Sequence, residues 1–168
     1  MDYVLPLRPL AVSACGLSHV PGRGENIAYL TLFCENNLIA HINVNWLAPV
    51  KLRRTMIGGS RKMIVYDDLE PSEKVKVYDK GIAVSPNGEG IVQMMIGYRS
   101  GDVWSPRLDI TEALKGEAAE FLDGIARGRA PVTDGLAGLR TVRILEMATR
   151  SMREQGRLIK FEESGVVA

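Results

Sequence analysis

Ile27-Ala28-Tyr29-Leu30-Thr31-Leu32-Phe33-Cys34-Glu35-Asn36-Asn37-Leu38-Ile39-Ala40-His41-Ile42-Asn43-Val44-Asn45-Trp46 reads as two strands folded back on one another. Residues 27–35 and 38–46 are rich in β-branched, aromatic and aliphatic side chains. They flank Asn36-Asn37, a dipeptide that tolerates positive φ and suits a two-residue hairpin turn. Such a turn places Tyr29, Thr31 and Phe33 on one face with Ala40, Ile42, Val44 and Trp46. The other face then carries Leu30, Leu32, Cys34, Ile39, His41, Asn43 and Asn45. Both faces are largely apolar near the turn, so both are expected to be covered, one by helices and the other by a partner subunit.

Further strands extend from this hairpin in both directions. Upstream, Ala11 to Ser18 is a run of small and β-branched residues that ends in the turn Pro21-Gly22-Arg23-Gly24. Downstream, Arg53 to Ile57 and Lys62 to Tyr66 are joined through Gly58-Gly59-Ser60, a second hairpin signal. Lys74 to Tyr78 follows, then a turn at Asp79-Lys80-Gly81, a less regular stretch from Ile82 to Tyr98, and a short Val103-Trp104 segment. From Asp109 the apolar period changes from two to 3.6. Leu114, Ala118, Phe121, Leu122 and Ile125 make one stripe, Asp109 or Thr111 could cap its start, and Gly128 supplies the stop. A second helix is predicted from Asp134 to Glu154, with Leu136, Leu139, Val142, Leu145, Ala148 and Met152 on one side. A last strand spans Leu158 to Phe161. Strands followed by helices predict an α+β domain spanning 1–168: a predominantly antiparallel open sheet with helices packed on one face, the other face left for oligomerisation.

Composition narrows the function. At 168 residues the chain can bury a self-sufficient core, roughly 70% of its unfolded surface, without a disulfide or metal staple. With 46% hydrophobic residues and a net charge of +1 it is neither disordered nor a clustered cationic surface. This argues against nucleic acid and a polybasic membrane contact as partners. No apolar run reaches the 18 or so residues of a membrane span. Val12-Ser13-Ala14-Cys15 imitates a lipoprotein cleavage box, but no basic segment precedes it, and Pro6, Arg8 and Pro9 interrupt the apolar stretch. Two cysteines, Cys15 and Cys34, fit a reducing compartment, so a cytoplasmic location is expected.

The candidate chemistry is sparse. Gly22-Arg23-Gly24-Glu25-Asn26-Ile27 lacks the third glycine of a dinucleotide fingerprint and opens a strand instead of a helix, so no helix N-terminus is available for a pyrophosphate. Gly58-Gly59-Ser60 is a turn. Cys15, His19, Cys34 and His41 lack the spacing of a zinc site, although the predicted register sets Cys34 and His41 diagonally on one face. No metal ligand and no catalytic residue is assigned. Asp67, Asp68 and Glu70 surround a proline-containing turn and read as solvated acids. Lys51, Arg53 and Arg54 follow Trp46, and basic forks beside an aromatic suit an anionic or sugar-bearing ligand.

Several segments in order resemble the C-terminal domain of the glucose-fructose oxidoreductase / inositol dehydrogenase (Gfo/Idh/MocA) family. They are Asn43-Val44-Asn45-Trp46-Leu47-Ala48-Pro49, Lys51-Leu52-Arg53-Arg54, Gly59-Ser60-Arg61-Lys62-Met63-Ile64-Val65-Tyr66-Asp67-Asp68 and Val77-Tyr78-Asp79-Lys80-Gly81. Gly101-Asp102, the helix around Glu117, Phe121 and Gly128, then Asp134-Gly135-Leu136 and Arg143-Ile144-Leu145-Glu146 complete the set. Trp46-Leu47-Ala48-Pro49 and Lys62 to Asp68 are similar to the branch that acts on nucleotide-linked sugars.

The resemblance implies a substrate-binding and oligomerisation domain of an NAD- or NADP-dependent sugar oxidoreductase. The family's cofactor domain, its Glu-Lys-Pro motif and its His-Asp pair have no match in these residues. The chain is therefore expected to read as a piece truncated at its N-terminus, to bind no cofactor alone and to be inactive alone. Trp46, Lys51, Arg53, Tyr98 and Arg99 are the expected substrate contacts, with Asp102 ordering its loop. The expected partners are a sugar or nucleotide sugar and further copies of the chain joined through the open sheet face. The alternative expectation is a stand-alone, non-catalytic module that oligomerises or binds a ligand through its sheet.

Overall fold

The computed structural model describes residues 4–5, 8–79, 81–84, 96–99, 101–109 and 111–161, with backbone alone over 81–84 and 96–99. The chain forms two compact units, Met1–Pro49 with Ala113–Ala168, and Val50–Glu112.

The first unit is built on β1 (Pro9–Leu17), β2 (Ile27–Cys34), β3 (Leu38–Asn45) and β10 (Ile159–Lys160), which pair in the order β10-β1-β2-β3, all antiparallel. The helices α1 (Ala113–Arg127) and α2 (Gly135–Arg153) complete it. Val12 lies opposite Leu32 and Leu32 opposite Ala40. These three are buried with Ala14, Ala28, Leu30, Cys34, Ala148 and Ile159, and they form the core under α2. The second unit pairs β4 (Arg54–Gly58), β5 (Met63–Asp67), β6 (Val75–Tyr78) and β9 (Val103–Trp104) in that order, again antiparallel. It also holds a separate hairpin, β7 (Gly81–Val84) with β8 (Ile96–Arg99). The architecture is thus α+β with antiparallel sheets. The strands divide between two four-stranded sheets and a hairpin, where the sequence suggested a single sheet.

The β2–β3 register differs from the expected one by a single residue. Glu35 joins Asn36 and Asn37 in a 3₁₀ turn, and both asparagines take φ of 57°. The turn therefore has three residues, and Phe33 lies opposite Ile39 instead of Ala40. A slip of one turns every β3 side chain over. Leu30, Leu32 and Cys34 share the buried face with Leu38, Ala40 and Ile42, while Tyr29, Thr31 and Phe33 share the outer face with Ile39, His41 and Asn43. Hydrophobic matching is the physical reason, because this register joins the apolar side of β3 to the apolar side of β2. Cys34 and His41 consequently lie on opposite faces, and burial pushes the Cys34 thiol up, away from the thiolate that metals and electrophiles need.

The helical stripes are also arranged differently. α2 meets the sheet through its C-terminal half, where Ala148 and Ser151 are buried and Ile144, Met147 and Met152 pack against the core. Leu136, Leu139, Val142 and Leu145, expected on the same buried side as Ala148, are 46–56% exposed. On α1, Leu114, Phe121, Leu122 and Ile125 are 62–69% exposed. The 3.6 periodicity is real, but nothing within the described part of this unit covers those faces.

The loop between the helices is clamped by charge. Arg129 donates to both carboxylate oxygens of Glu120, at 2.7 and 2.8 Å, and to Asp123 at 2.6 Å. Glu120 also accepts the Val132 amide at 3.0 Å. Mainly through the Arg129 hydrogen bonds, the Glu120 carboxyl falls from the ordinary 4.5 to about 2. A carboxylate depressed in the folded state stabilises above its unfolded value, and that contribution fades as pH falls toward the folded one. Glu120→Gln is therefore expected to lower the thermal midpoint at pH 7. The gap from the parent chain should close as pH falls from about 4.5 to about 2, as followed by circular dichroism melts. Gly128, at φ +62°, ends α1, and the Asp134 carboxylate caps α2 by accepting the Ala137 amide at 2.8 Å.

Candidate functional site

In the first unit, Trp46 follows directly on β3. Its amide donates to Asn26 O at 2.8 Å, and the next amide, Leu47 N, donates to Asn45 Oδ1 at 2.8 Å. The backbone is thereby fixed while the indole stands 89% exposed.

In the second unit, β4 and β5 carry a cross-strand charge network. Arg54 and Asp67 are register partners and form a salt bridge at 2.8 Å. Arg53 reaches Asp68 at 3.4 Å, Tyr66 Oη donates to Asp68 at 2.9 Å, and Lys74 Nζ donates to the Asp68 carbonyl at 2.7 Å. The Arg54 hydrogen bond holds Asp67 below the usual carboxylate range, and the hydrogen bonds from Tyr66 and Arg53 do the same for Asp68. The Asp68 hydrogen bond in turn raises the Tyr66 phenol. These exposed acids are thus ionised partners of named cations, a pairing that their reading as solvated acids did not include.

Lys51 is exposed ahead of β4. The Asp102 carbonyl accepts the Asp79 amide at 2.9 Å, which ties the 101–102 loop to the end of β6. Gly101 permits this approach, since a Cβ there would collide with the Asp79 carbonyl oxygen. Tyr98 and Arg99 lie on β8, in register with Ile82 and Gly81, and their side chains fall outside the described residues. Sequence reading missed the tip of the β4–β5 hairpin. Gly59, Ser60, Arg61, Lys62 and Asp79 line an open cleft of about 620 Å³ there, with two cations and one carboxylate in its wall. The only signal for it was Arg61-Lys62 placed directly after a turn. Trp46 belongs to one unit, and Lys51, Arg53 and Asp102 belong to the other.

No family model matches the sequence, and no curated protein matches it either. Solved structures do match the fold. A UDP-N-acetylglucosamine 3-dehydrogenase from Acidithiobacillus ferrooxidans superposes with a TM-score of 0.71 at 18% identity, over 90% of this chain and 42% of that one. An aldose-aldose oxidoreductase from Caulobacter crescentus, complexed with glycerol, gives 0.68 at 19% identity, over 93% and 42%. A levoglucosan dehydrogenase, complexed with NADH and levoglucosan, gives 0.67 at 14% identity, over 93% and 46%. The chain thus spans less than half the length of each.

The described residues do not suit a dinucleotide. Every strand pairing among them is antiparallel. The glycine turns at 22–24 and 58–59 link strand to strand, and Asp134 places its own carboxylate on the first turn of α2. A pyrophosphate needs a helix N-terminus opened by a glycine loop, and a carboxylate cap repels it. No helix of the described residues is long and apolar enough to cross a membrane.

Proposed function

We propose that this chain, whose fold is that of the C-terminal part of Gfo/Idh/MocA-type oxidoreductases, forms the substrate wall and the subunit-joining surface of an NAD- or NADP-dependent oxidoreductase acting on a sugar linked to a nucleotide. The observation that carries the reading is the match of about nine-tenths of this chain to less than half of several sugar oxidoreductases. The sugar-binding residues proposed are Trp46, Lys51 and Arg53, joined by Tyr98 and Arg99, with Asp102 holding its loop. An exposed indole stacks on a sugar ring, and guanidinium and ammonium groups meet phosphate. Residues outside the described ones hold the nicotinamide cofactor, whose chemistry is hydride transfer. The uncovered stripes of α1 and the first half of α2 support this division, because apolar helix faces of that size mark contacts with further protein. The outer face of the first sheet joins subunits.

Paired titrations test the reading. Followed by tryptophan emission, UDP-N-acetylglucosamine should give saturable quenching, and Arg53→Ala should weaken it by tenfold or more, the worth of one charge-assisted hydrogen bond. NADH should give no saturable change in the micromolar range. Micromolar NADH binding would overturn the division of labour, and an unchanged sugar-nucleotide affinity in Arg53→Ala would remove that residue from the site.

A further inference from the structure

One end of the second sheet holds two cations that no carboxylate of the described residues engages. Elsewhere along this sheet the cations are matched: Arg53 and Lys74 with Asp68, Arg54 with Asp67, and Lys76 with Glu73. Arg61 and Lys62 follow the β4–β5 turn with their side chains exposed. Neither side chain makes an ion pair or hydrogen bond to a described residue. The same holds for the Ser60 hydroxyl, and the Ser60 amide has no carbonyl partner among the described residues.

These three residues line, with Gly59 and Asp79, the cleft of about 620 Å³, a volume within the range of small-molecule sites. Main-chain bonds hold both of its walls. Gly59 N–H donates to the Lys62 carbonyl at 3.0 Å and closes the turn, and Asp79 N–H donates to the Asp102 carbonyl at 2.9 Å. Strand pairing brings the walls together, because Met63 lies opposite Tyr78 and Lys62 and Asp79 adjoin that pair. The backbone that carries the donors is thus fixed before a ligand arrives, which lowers the cost of binding. Arg54 and Gly58, the two ends of β4, are about 13 Å apart at about 3.3 Å per residue, so the cleft is separate from the Arg53–Asp68 pair.

Guanidinium and ammonium groups supply charge-assisted donors that match phosphate oxygens, and the serine hydroxyl adds another. Asp79 works against a bare anion, because it repels any anionic oxygen that faces it. A carboxylate has about four acceptor sites, so it can take hydroxyl donors from a ligand alongside its other contacts. A molecule that bears hydroxyls beside its phosphate satisfies both kinds of wall. We infer that this cleft binds a phosphate monoester of a polyhydroxylated compound, with its phosphate on Ser60, Arg61 and Lys62 and its hydroxyls on Asp79. The site stands apart from the sugar-nucleotide reading above and does not rest on it.

Amide chemical-shift titration of the isotopically labelled chain with glucose 6-phosphate, at neutral pH and constant ionic strength, tests the inference. Saturable shifts are expected at Gly59, Ser60, Arg61, Lys62 and Asp79, half complete at about 1 mM or below. Arg61→Ala and Lys62→Ala should each weaken binding about tenfold, the loss of one charge-assisted hydrogen bond, while the rest of the spectrum shows that the fold is intact. Inorganic phosphate should bind about threefold or more weaker than glucose 6-phosphate, the worth of a hydroxyl hydrogen bond, and Asp79→Asn should narrow that preference. Glucose without phosphate should not bind. Arg53→Ala should leave the titration unchanged, which separates failure of this site from failure of the sugar-nucleotide reading. An absence of saturable shifts, shifts centred on residues 51–54 and 66–68, or an affinity that survives both Arg61→Ala and Lys62→Ala would overturn the site. Equal affinity for inorganic phosphate and glucose 6-phosphate, or a preference unmoved by Asp79→Asn, would overturn the ligand class.

Discussion

Leu32→Ala should lower the unfolding free energy of the first unit by about 2–5 kcal/mol, read as a fall in the urea midpoint at unchanged slope. Leu32 is 3% exposed and sits in the middle of the buried face, opposite Val12 on one side and Ala40 on the other. Both neighbours are small and both sit on sheet strands, so neither can itself fill the space left by the isobutyl group. The cost therefore includes a cavity as well as lost transfer energy. Phe33→Ala on the outer face, in the monomer at low concentration, should cost much less, because Phe33 stays 40% exposed. The ordering of the two variants reads the register directly. If Phe33→Ala proves the more damaging, the face assignment of β2 and β3 is wrong.

The second large effect is expected at Ser151, a fully buried hydroxyl that joins α2 to the sheet. Its Oγ accepts the Ala14 amide at 2.8 Å and donates to the Arg157 carbonyl at 2.6 Å. β10 pairs with β1 only around Ala11 and Val12, so Ala14 N–H takes its partner from the helix side chain. Ser151→Ala leaves the buried Ala14 amide without that partner, a cost of about 1–3 kcal/mol. Hydrogen exchange checks the mechanism as well as the magnitude: the Ala14 amide should lose protection more than its neighbours on β1. Uniform loss along the strand would mean that the hydroxyl serves packing and not this bond.

Much of the fold was legible because period and turn chemistry are local. The strand runs, the Gly58–Ser60 hairpin, the start of the second helix and the Gly128 stop all lie within two residues of where the pattern placed them. Failures arose where the deciding term is not local. Asn36-Asn37 adopts the positive φ its composition favours, but loop length depends on which strand faces match, and that drew Glu35 into the turn. Leu136, Leu139, Val142 and Leu145 have the spacing of a buried stripe, and spacing alone does not reveal what covers a stripe. Ser151 reads as a solvent-facing polar residue until the sheet it anchors is known. Of the candidate site, the basic character around Arg53 was visible in sequence, whereas the exposure of Trp46 was not, since both faces of its hairpin were expected to be covered. The acids that engage Arg53 and Arg54 are brought to them by strand pairing across 13 to 15 residues, which no spacing rule announces.

The first unit is assembled from the two ends of the sequence, with Val50–Glu112 inserted between them. β1 takes its edge partner from β10 and its amide partner from Ser151, 137 positions away. On a translating ribosome the inserted unit can close its own hairpins as it emerges, whereas β1, β2 and β3 must wait as a bare meander until nearly the last segment arrives. Such distant closure is slow and keeps apolar strands open meanwhile. The interval between the third strand and the tenth is when a nascent chain most needs a chaperone.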